Sequence, residues 1–143
     1  MEDKAKLKKI FQYVKEQNLA VMATVSPDAK PEAAVVGFSE TDNFELYIGT
    51  YEFSRKFQNI KKNSLVALVI GWDDGKTVQY EGEIEEVTNP DEIDEFKRTH
   101  LAKMPSAVKY LENENEKFLK VKPHWVRYTD LSIDPWEVLE IRF

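Results

Sequence analysis

Apolar residues in the first stretch of the chain recur at Leu7, Ile10, Phe11 and Val14, the spacing that lines one face of a helix. This predicts an N-terminal helix with Asp3 as its N-cap and lysines on the opposite, solvated face. From Leu19 the period shortens. Leu19–Val25 is a β-rich run stopped by Pro27-Asp28-Ala29-Lys30-Pro31, where proline and aspartate favour a turn. A second strand is predicted over Ala33–Phe38. After Asp42-Asn43 a third is predicted over Phe44–Ile48, where apolar and polar positions alternate. A short helix follows from Ser54 to Lys62, with Phe57 and Ile60 on one side.

Leu65–Ile70 is apolar on both faces and predicts a strand buried centrally. Asp74-Gly75 is a hairpin signal. The returning strand puts Val78, Tyr80, Gly82 and Ile84 on one face and Gln79, Glu81, Glu83 and Glu85 on the other. Asn89-Pro90-Asp91-Glu92 combines an N-cap, proline at the first helical position and an acid in capping-box position. Ile93, Phe96 and Leu101 give that helix its apolar stripe, Pro105-Ser106 interrupts it, and Val108 and Leu111 continue the pattern. Two strands close the chain, Phe118–Thr129 and Trp136–Phe143, separated by Ser132-Ile133-Asp134-Pro135. Consecutive short strands joined by tight turns rule out a doubly wound parallel sheet, which needs a helix between each pair. The pattern predicts a mainly β fold with peripheral helices, a mostly antiparallel barrel. The length of 143 residues suits one domain, 1–143.

Composition narrows the chemistry. There is no cysteine, which removes disulfides, thiolate metal sites and cysteine nucleophiles together. The net charge of −6 argues against nucleic acid or an anionic membrane as partner, because both bind through phosphate neutralisation. No apolar run approaches the ~20 residues of a membrane span, and the N-terminus lacks a signal-peptide pattern, so a cytoplasmic location is the expectation. The two histidines, His100 and His124, show no metal-binding spacing, and no nucleophile elbow or nucleotide-binding glycine pattern occurs. His124 beside Trp125 reads as an ordinary strand histidine.

One stretch remains, Tyr47-Ile48-Gly49-Thr50-Tyr51-Glu52-Phe53-Ser54-Arg55-Lys56-Phe57. It gathers two hydroxyls and two cations where a strand hands over to a helix, a set suited to a phosphate monoester. The same spacing equally describes a capped surface helix whose Arg55 and Lys56 face water.

Thr50, Ser54-Arg55-Lys56, Asn59-Ile60, Lys62-Asn63-Ser64, Gly71-Trp72 and Val78-Gln79-Tyr80-Glu81-Gly82 stand in this order. With them the chain resembles the pyridoxamine 5′-phosphate oxidase-like family of FMN-binding split β-barrels, from Leu19 to Val87 and more weakly beyond. The resemblance implies that Thr50, Ser54, Arg55 and Lys56 bind the FMN phosphate. It implies that the Ala33–Phe38 strand, with Val35 and Val36, lies along the flavin ring and that Gly49 allows close approach. It further implies a homodimer with two FMN sites at the subunit interface, where Gln79 meets the cofactor or the other subunit. Ala34 and Ser39 stand where relatives active on vitamin B6 carry basic residues, and the arginine-rich C-terminal substrate segment is missing. The implied activity is therefore flavin-dependent oxidoreduction of a small molecule whose identity the sequence leaves open, with vitamin B6 oxidation disfavoured. The alternatives are a non-catalytic module binding flavin, haem or a deazaflavin, or a scaffold without cofactor. Trp72, Trp125 and Trp136 are expected in the core or an interface, leaving Tyr51 and Phe53 as the better aromatic neighbours of a ring.

Overall fold

The computed structural model describes residues 1–143. Seven strands make the body: β1 (Leu19–Val25), β2 (Pro31–Glu40), β3 (Leu46–Tyr51), β4 (Leu65–Ile70), β5 (Lys76–Glu86), β6 (Glu116–Asp130) and β7 (Glu137–Arg142). Every pairing is antiparallel, in the order β3-β2-β1-β4-β5-β6-β7. A further β3–β6 pairing closes the first six strands into a barrel, as the strand pattern and the family resemblance predicted. The 15-residue β6 does this by changing partners along its length. Its first part pairs with β3, its last with β7, and β5 runs beside both. The register shifts at Glu81/Gly82, and a Cβ at Gly82 would meet the Lys122 carbonyl at 2.2 Å. Glycine is what lets the two strands stay paired through this bulge.

Four helices sit outside: α1 (Asp3–Lys15), α2 (Arg55–Ile60), α3 (Pro90–Lys103) and α4 (Val108–Leu111), with a 3₁₀ turn at Pro105–Ala107 between the last two. Asn89 caps α3 as expected, its side chain accepting from the N–H groups of Asp91 and Glu92. At α1 the reading was off by one residue. Glu2 occupies the N-cap without a side-chain bond, and Asp3 lies inside the first turn, where its charge still complements the helix dipole.

A cluster of 24 buried residues fills the barrel, Ile10, Tyr13 and Val14 of α1 among them. The fully buried Tyr80 donates its hydroxyl to the Phe44 carbonyl at 2.7 Å, with the Val121 carbonyl 3.3 Å away. A smaller cluster, Tyr47, Phe96 and Leu111, fixes α3 and α4 on the outside of β3.

β4 lies between β1 and β5, but it is not buried on both faces as its apolar run predicted: only Val66, Leu68 and Ile70 are buried. Its other face, Leu65, Ala67 and Val69, is exposed, because no helix of the chain crosses it. Across this outer surface the register aligns Val35, Val21, Val69 and Gln79 in one row over four strands. With Leu19, Leu65 and Trp72 also exposed, the outer face of β1, β2 and β4 is a continuous apolar surface.

Candidate functional site

β3 ends beside the start of α2, and that junction is held by the residues the sequence singled out. Ser54 is the N-cap of α2: its Oγ accepts from the Phe57 N–H at 3.2 Å and from the Thr50 hydroxyl at 2.9 Å. With both acceptor sites used, the Ser54 O–H is free to donate outward. Thr50 itself is buried.

The two cations next to Ser54 are in different situations. Arg55 is largely exposed, and its Nη1 donates to Glu32 Oε2 at 3.1 Å. Glu32 Oε1 accepts from Asn59 Nδ2 at 2.8 Å, and the same amide donates to Thr24 Oγ1 at 3.0 Å. This network ties α2 to β1 and β2 and holds Arg55 over a small cleft of about 110 Å³ whose wall includes Ala33, Ala34, Arg55 and Lys56. Lys56, by contrast, is half-buried and forms no ion pair or hydrogen bond. Desolvation pushes its ammonium below the ordinary lysine range, against a smaller opposing pull from Glu116.

Lys56 also lies on the wall of a larger cavity of about 590 Å³, roofed by α3, the 3₁₀ turn and α4. Gly49, Thr50 and Tyr51 of β3 form its floor near Lys56, and Gly37 of β2 continues that floor. His100 of α3 and Met104, the residue just past its end, also line it, together with Tyr110 and Leu111 of α4. Met104 Sδ would stand 3.6 Å from a Cβ at Gly37, so the thioether rests directly over that glycine.

Two titratable groups of this cavity were not assigned a role from the sequence. Glu116, at the start of β6, is only 9% exposed. Its Oε1 would lie 3.4 Å from a Cβ at Gly49, and it has no hydrogen-bond or ion-pair partner. Burial raises it to about 7, with Lys56 pulling the other way. His100 has its Nδ1 2.8 Å from Ser39 Oγ, and its ring stacks on Phe96. That leaves Nε2 as the ring nitrogen on the cavity side. Burial, aided by Lys103, lowers His100 to about 4, so the imidazole is neutral at physiological pH. Lys103 is itself engaged, with Nζ 2.5 Å from Glu40 Oε2 and 4.0 Å from the Phe38 ring centroid.

The structure thus gathers Gly49, Thr50, Ser54, Arg55 and Lys56 at one junction. Val35 points outward and Val36 into the core, so the Val36 side chain is unavailable to a ligand and only its backbone offers contacts. Gln79 is exposed but three strands away from Val35, and it lines neither hollow. Tyr51 and Phe53 are exposed beside the junction. Trp72 and Trp136 are exposed rather than in the core, which leaves the interface alternative for both. His124 is exposed on β6, 3.9 Å from Glu83, with no part in the site. Glu116 escaped the sequence reading because it lies in the charged run Glu112-Asn113-Glu114-Asn115-Glu116-Lys117, where nothing distinguishes it from its solvated neighbours. Only the pairing of Tyr51 with Glu116 between β3 and β6 brings it to Lys56.

A phosphate monoester fits this donor set. It requires charge-assisted and hydroxyl donors, and an unpaired, partly desolvated ammonium between two hollows, next to a free serine O–H, provides them. The larger cavity offers Thr50 and the glycine floor to whatever the phosphate carries.

Comparison with known proteins gives the chain a family and a fold. The family model described as pyridoxamine 5′-phosphate oxidase matches residues 7–130. The pyridoxine/pyridoxamine 5′-phosphate oxidase of Ehrlichia ruminantium (strain Welgevonden) is 35% identical over 88 residues, covering 61% of this chain and 45% of that relative. The chain therefore spans less than half the length of this curated relative. Among solved structures, General Stress Protein 26 from Bacillus anthracis str. Sterne superposes with a TM-score of 0.72 at 27% identity, over 96% of this chain and 98% of that one. A heme binding protein from Mycobacterium smegmatis superposes with a TM-score of 0.75 at 14% identity, over 90% of this chain and 56% of that one, a likeness of fold alone.

Proposed function

We propose, from the premise that the chain belongs to the pyridoxamine 5′-phosphate oxidase family, that it binds FMN as a homodimer and serves as a flavin-dependent oxidoreductase. The observation that carries the reading is Lys56, a half-buried ammonium with no hydrogen-bond or ion-pair partner, beside the hydroxyls of Thr50 and Ser54. An anion supplied by a ligand compensates its desolvation. Lys56 and Ser54 hold the phosphate, and Arg55 adds a second cation once its bond to Glu32 is exchanged for a phosphate oxygen. Bound flavin supplies the hydride and electron chemistry, and the protein supplies position and polarity. That division of labour accounts for a cavity with no nucleophile–base pair.

The apolar outer face of β1, β2 and β4 supports the homodimer. Val35 and Leu65 are 60% and 56% exposed within the single chain, on strands whose opposite faces form the core. A second copy covering this face would also bring Gln79 toward a site that its own chain does not let it reach. The substrate differs from a vitamin B6 phosphate on this reading. Lys56 is the sole basic side chain lining the cavity, and it is committed to the cofactor. At the far end the imidazole of His100 is neutral.

A second reading is favoured by one observation: His100, with its ring held by Ser39 and Phe96, lines the cavity as a neutral imidazole, a side chain able to hold haem iron. The absorption spectrum of freshly purified protein separates the two. Oxidised-flavin bands support FMN and a Soret band supports haem. A colourless protein that binds neither added cofactor refutes both.

A further inference from the structure

Glu116 is the one carboxyl lining the cavity, and the FMN reading leaves it without a task. Its carboxyl is nearly enclosed, packs against Gly49, opens on the cavity and bonds to nothing. The other titratable groups lining the same cavity are Lys56 from α2, Tyr51 from β3, Tyr110 from α4 and His100 from α3, and of these Lys56 is the one whose charge acts on Glu116. Lys117, next along β6, turns away to Glu86 at 3.9 Å. Lys56 is thus the cation that a carboxylate here can stabilise itself against, and also the cation that a phosphate needs. Two anions cannot share one partly desolvated ammonium without strong repulsion, because like charges in a poorly solvated space raise each other's proton affinity.

We infer that Glu116 is a specificity-determining residue that couples phosphate binding at Lys56 to the uptake of one proton. The inference rests on the FMN reading and deepens it. When the phosphate dianion enters, the Glu116 carboxylate takes a proton from solvent and becomes neutral carboxylic acid, and Lys56 turns to the phosphate. No electron moves. The protein carries this carboxyl at about 7 before ligand arrives, so the proton is gained at little cost at neutral pH and at rising cost above it. His100, lowered to about 4, contributes no charge change over that range. The consequence is selectivity: the site favours phosphorylated over unphosphorylated ligand in mildly acidic conditions and loses that preference as the pH rises.

The test is the FMN dissociation constant, read by flavin fluorescence quenching, between about pH 7 and about pH 8.5, where the phosphate is already mostly dianionic. Wild-type affinity is expected to weaken by up to about tenfold per pH unit, the limit for one linked proton. Glu116→Gln is expected to bind FMN with no such slope, and more tightly than wild type at the alkaline end. Riboflavin, which lacks the phosphate, is expected to show no slope in either protein. Calorimetry of wild type in two buffers of different ionisation enthalpy gives a second reading that needs no variant: net proton uptake supports the inference and its absence overturns it. Flat wild-type FMN binding, or an equal slope in Glu116→Gln, overturns the inference and leaves the flavin assignment standing. Failure of FMN to bind either protein at any pH overturns both.

Discussion

Glu116→Gln has a consequence for stability that needs no ligand. In the unfolded chain this carboxyl titrates near 4.5, and in the fold burial raises it to about 7. The folded state therefore holds a proton that the unfolded state has released between those values. A raised carboxyl costs nothing below about pH 4.5, costs progressively more as pH climbs toward 7, and costs its full amount above. The displacement corresponds to about 3 kcal/mol at the alkaline plateau, an upper figure that relaxation of the cavity wall reduces to about 1–3 kcal/mol. Glutamine keeps the volume and removes the charge. The variant is expected to exceed wild type in unfolding free energy by that margin near pH 8 and to match it near pH 4.5, as read by urea unfolding followed by circular dichroism. The same stability difference at both pH values, or a variant less stable than wild type near pH 8, would refute the reasoning, since the penalty would then not come from a buried carboxylate.

Three further outcomes follow from other parts of the molecule. Tyr80→Phe removes the hydroxyl that satisfies the buried Phe44 carbonyl, and denaturant unfolding is expected to show a loss of about 1–3 kcal/mol. Because His100 is held neutral in the fold down to about 4 against 6.5 unfolded, it withdraws up to about 3 kcal/mol of stability as pH falls through that interval. His100→Gln is expected to flatten this part of the stability–pH curve, and an unchanged curve would show that the imidazole is not responsible. Val69→Asp places a charge in the middle of the apolar outer face. Sedimentation is expected to show a dimer for wild type and a folded monomer for the variant, and an intact dimer in the variant would place the subunit contact elsewhere.

The barrel was legible because its strands obey local rules. The alternation of Val78, Tyr80, Gly82 and Ile84 with Gln79, Glu81, Glu83 and Glu85 appears unchanged as inner and outer faces of β5. Asn89-Pro90 starts α3 by a capping mechanism contained in four residues. Leu65–Ile70 shows where local reading stops: an apolar run says that both faces avoid water, but not whether the cover comes from the same chain. The grouping at the β3–α2 junction was readable because Thr50, Ser54 and Lys56 lie within seven residues, so one turn joins them. Glu116 and His100 were out of reach because non-local contacts place them. The β3–β6 pairing carries Glu116 to Gly49, and the Ser39 hydroxyl docks His100 from 61 residues away. Nor could sequence distinguish the neighbours Arg55 and Lys56, of which the first is exposed and paired to Glu32 and the second half-buried and unpaired.

The central claim, that this junction holds the phosphate of a flavin, is tested most directly by titrating FMN and riboflavin against wild type and Lys56→Ala. The expected result is that the variant loses about 10- to 100-fold in FMN affinity, the worth of one charge-assisted contact, while riboflavin binds both proteins equally and the unfolding midpoint does not fall. Equal FMN affinity in the two proteins would contradict the account.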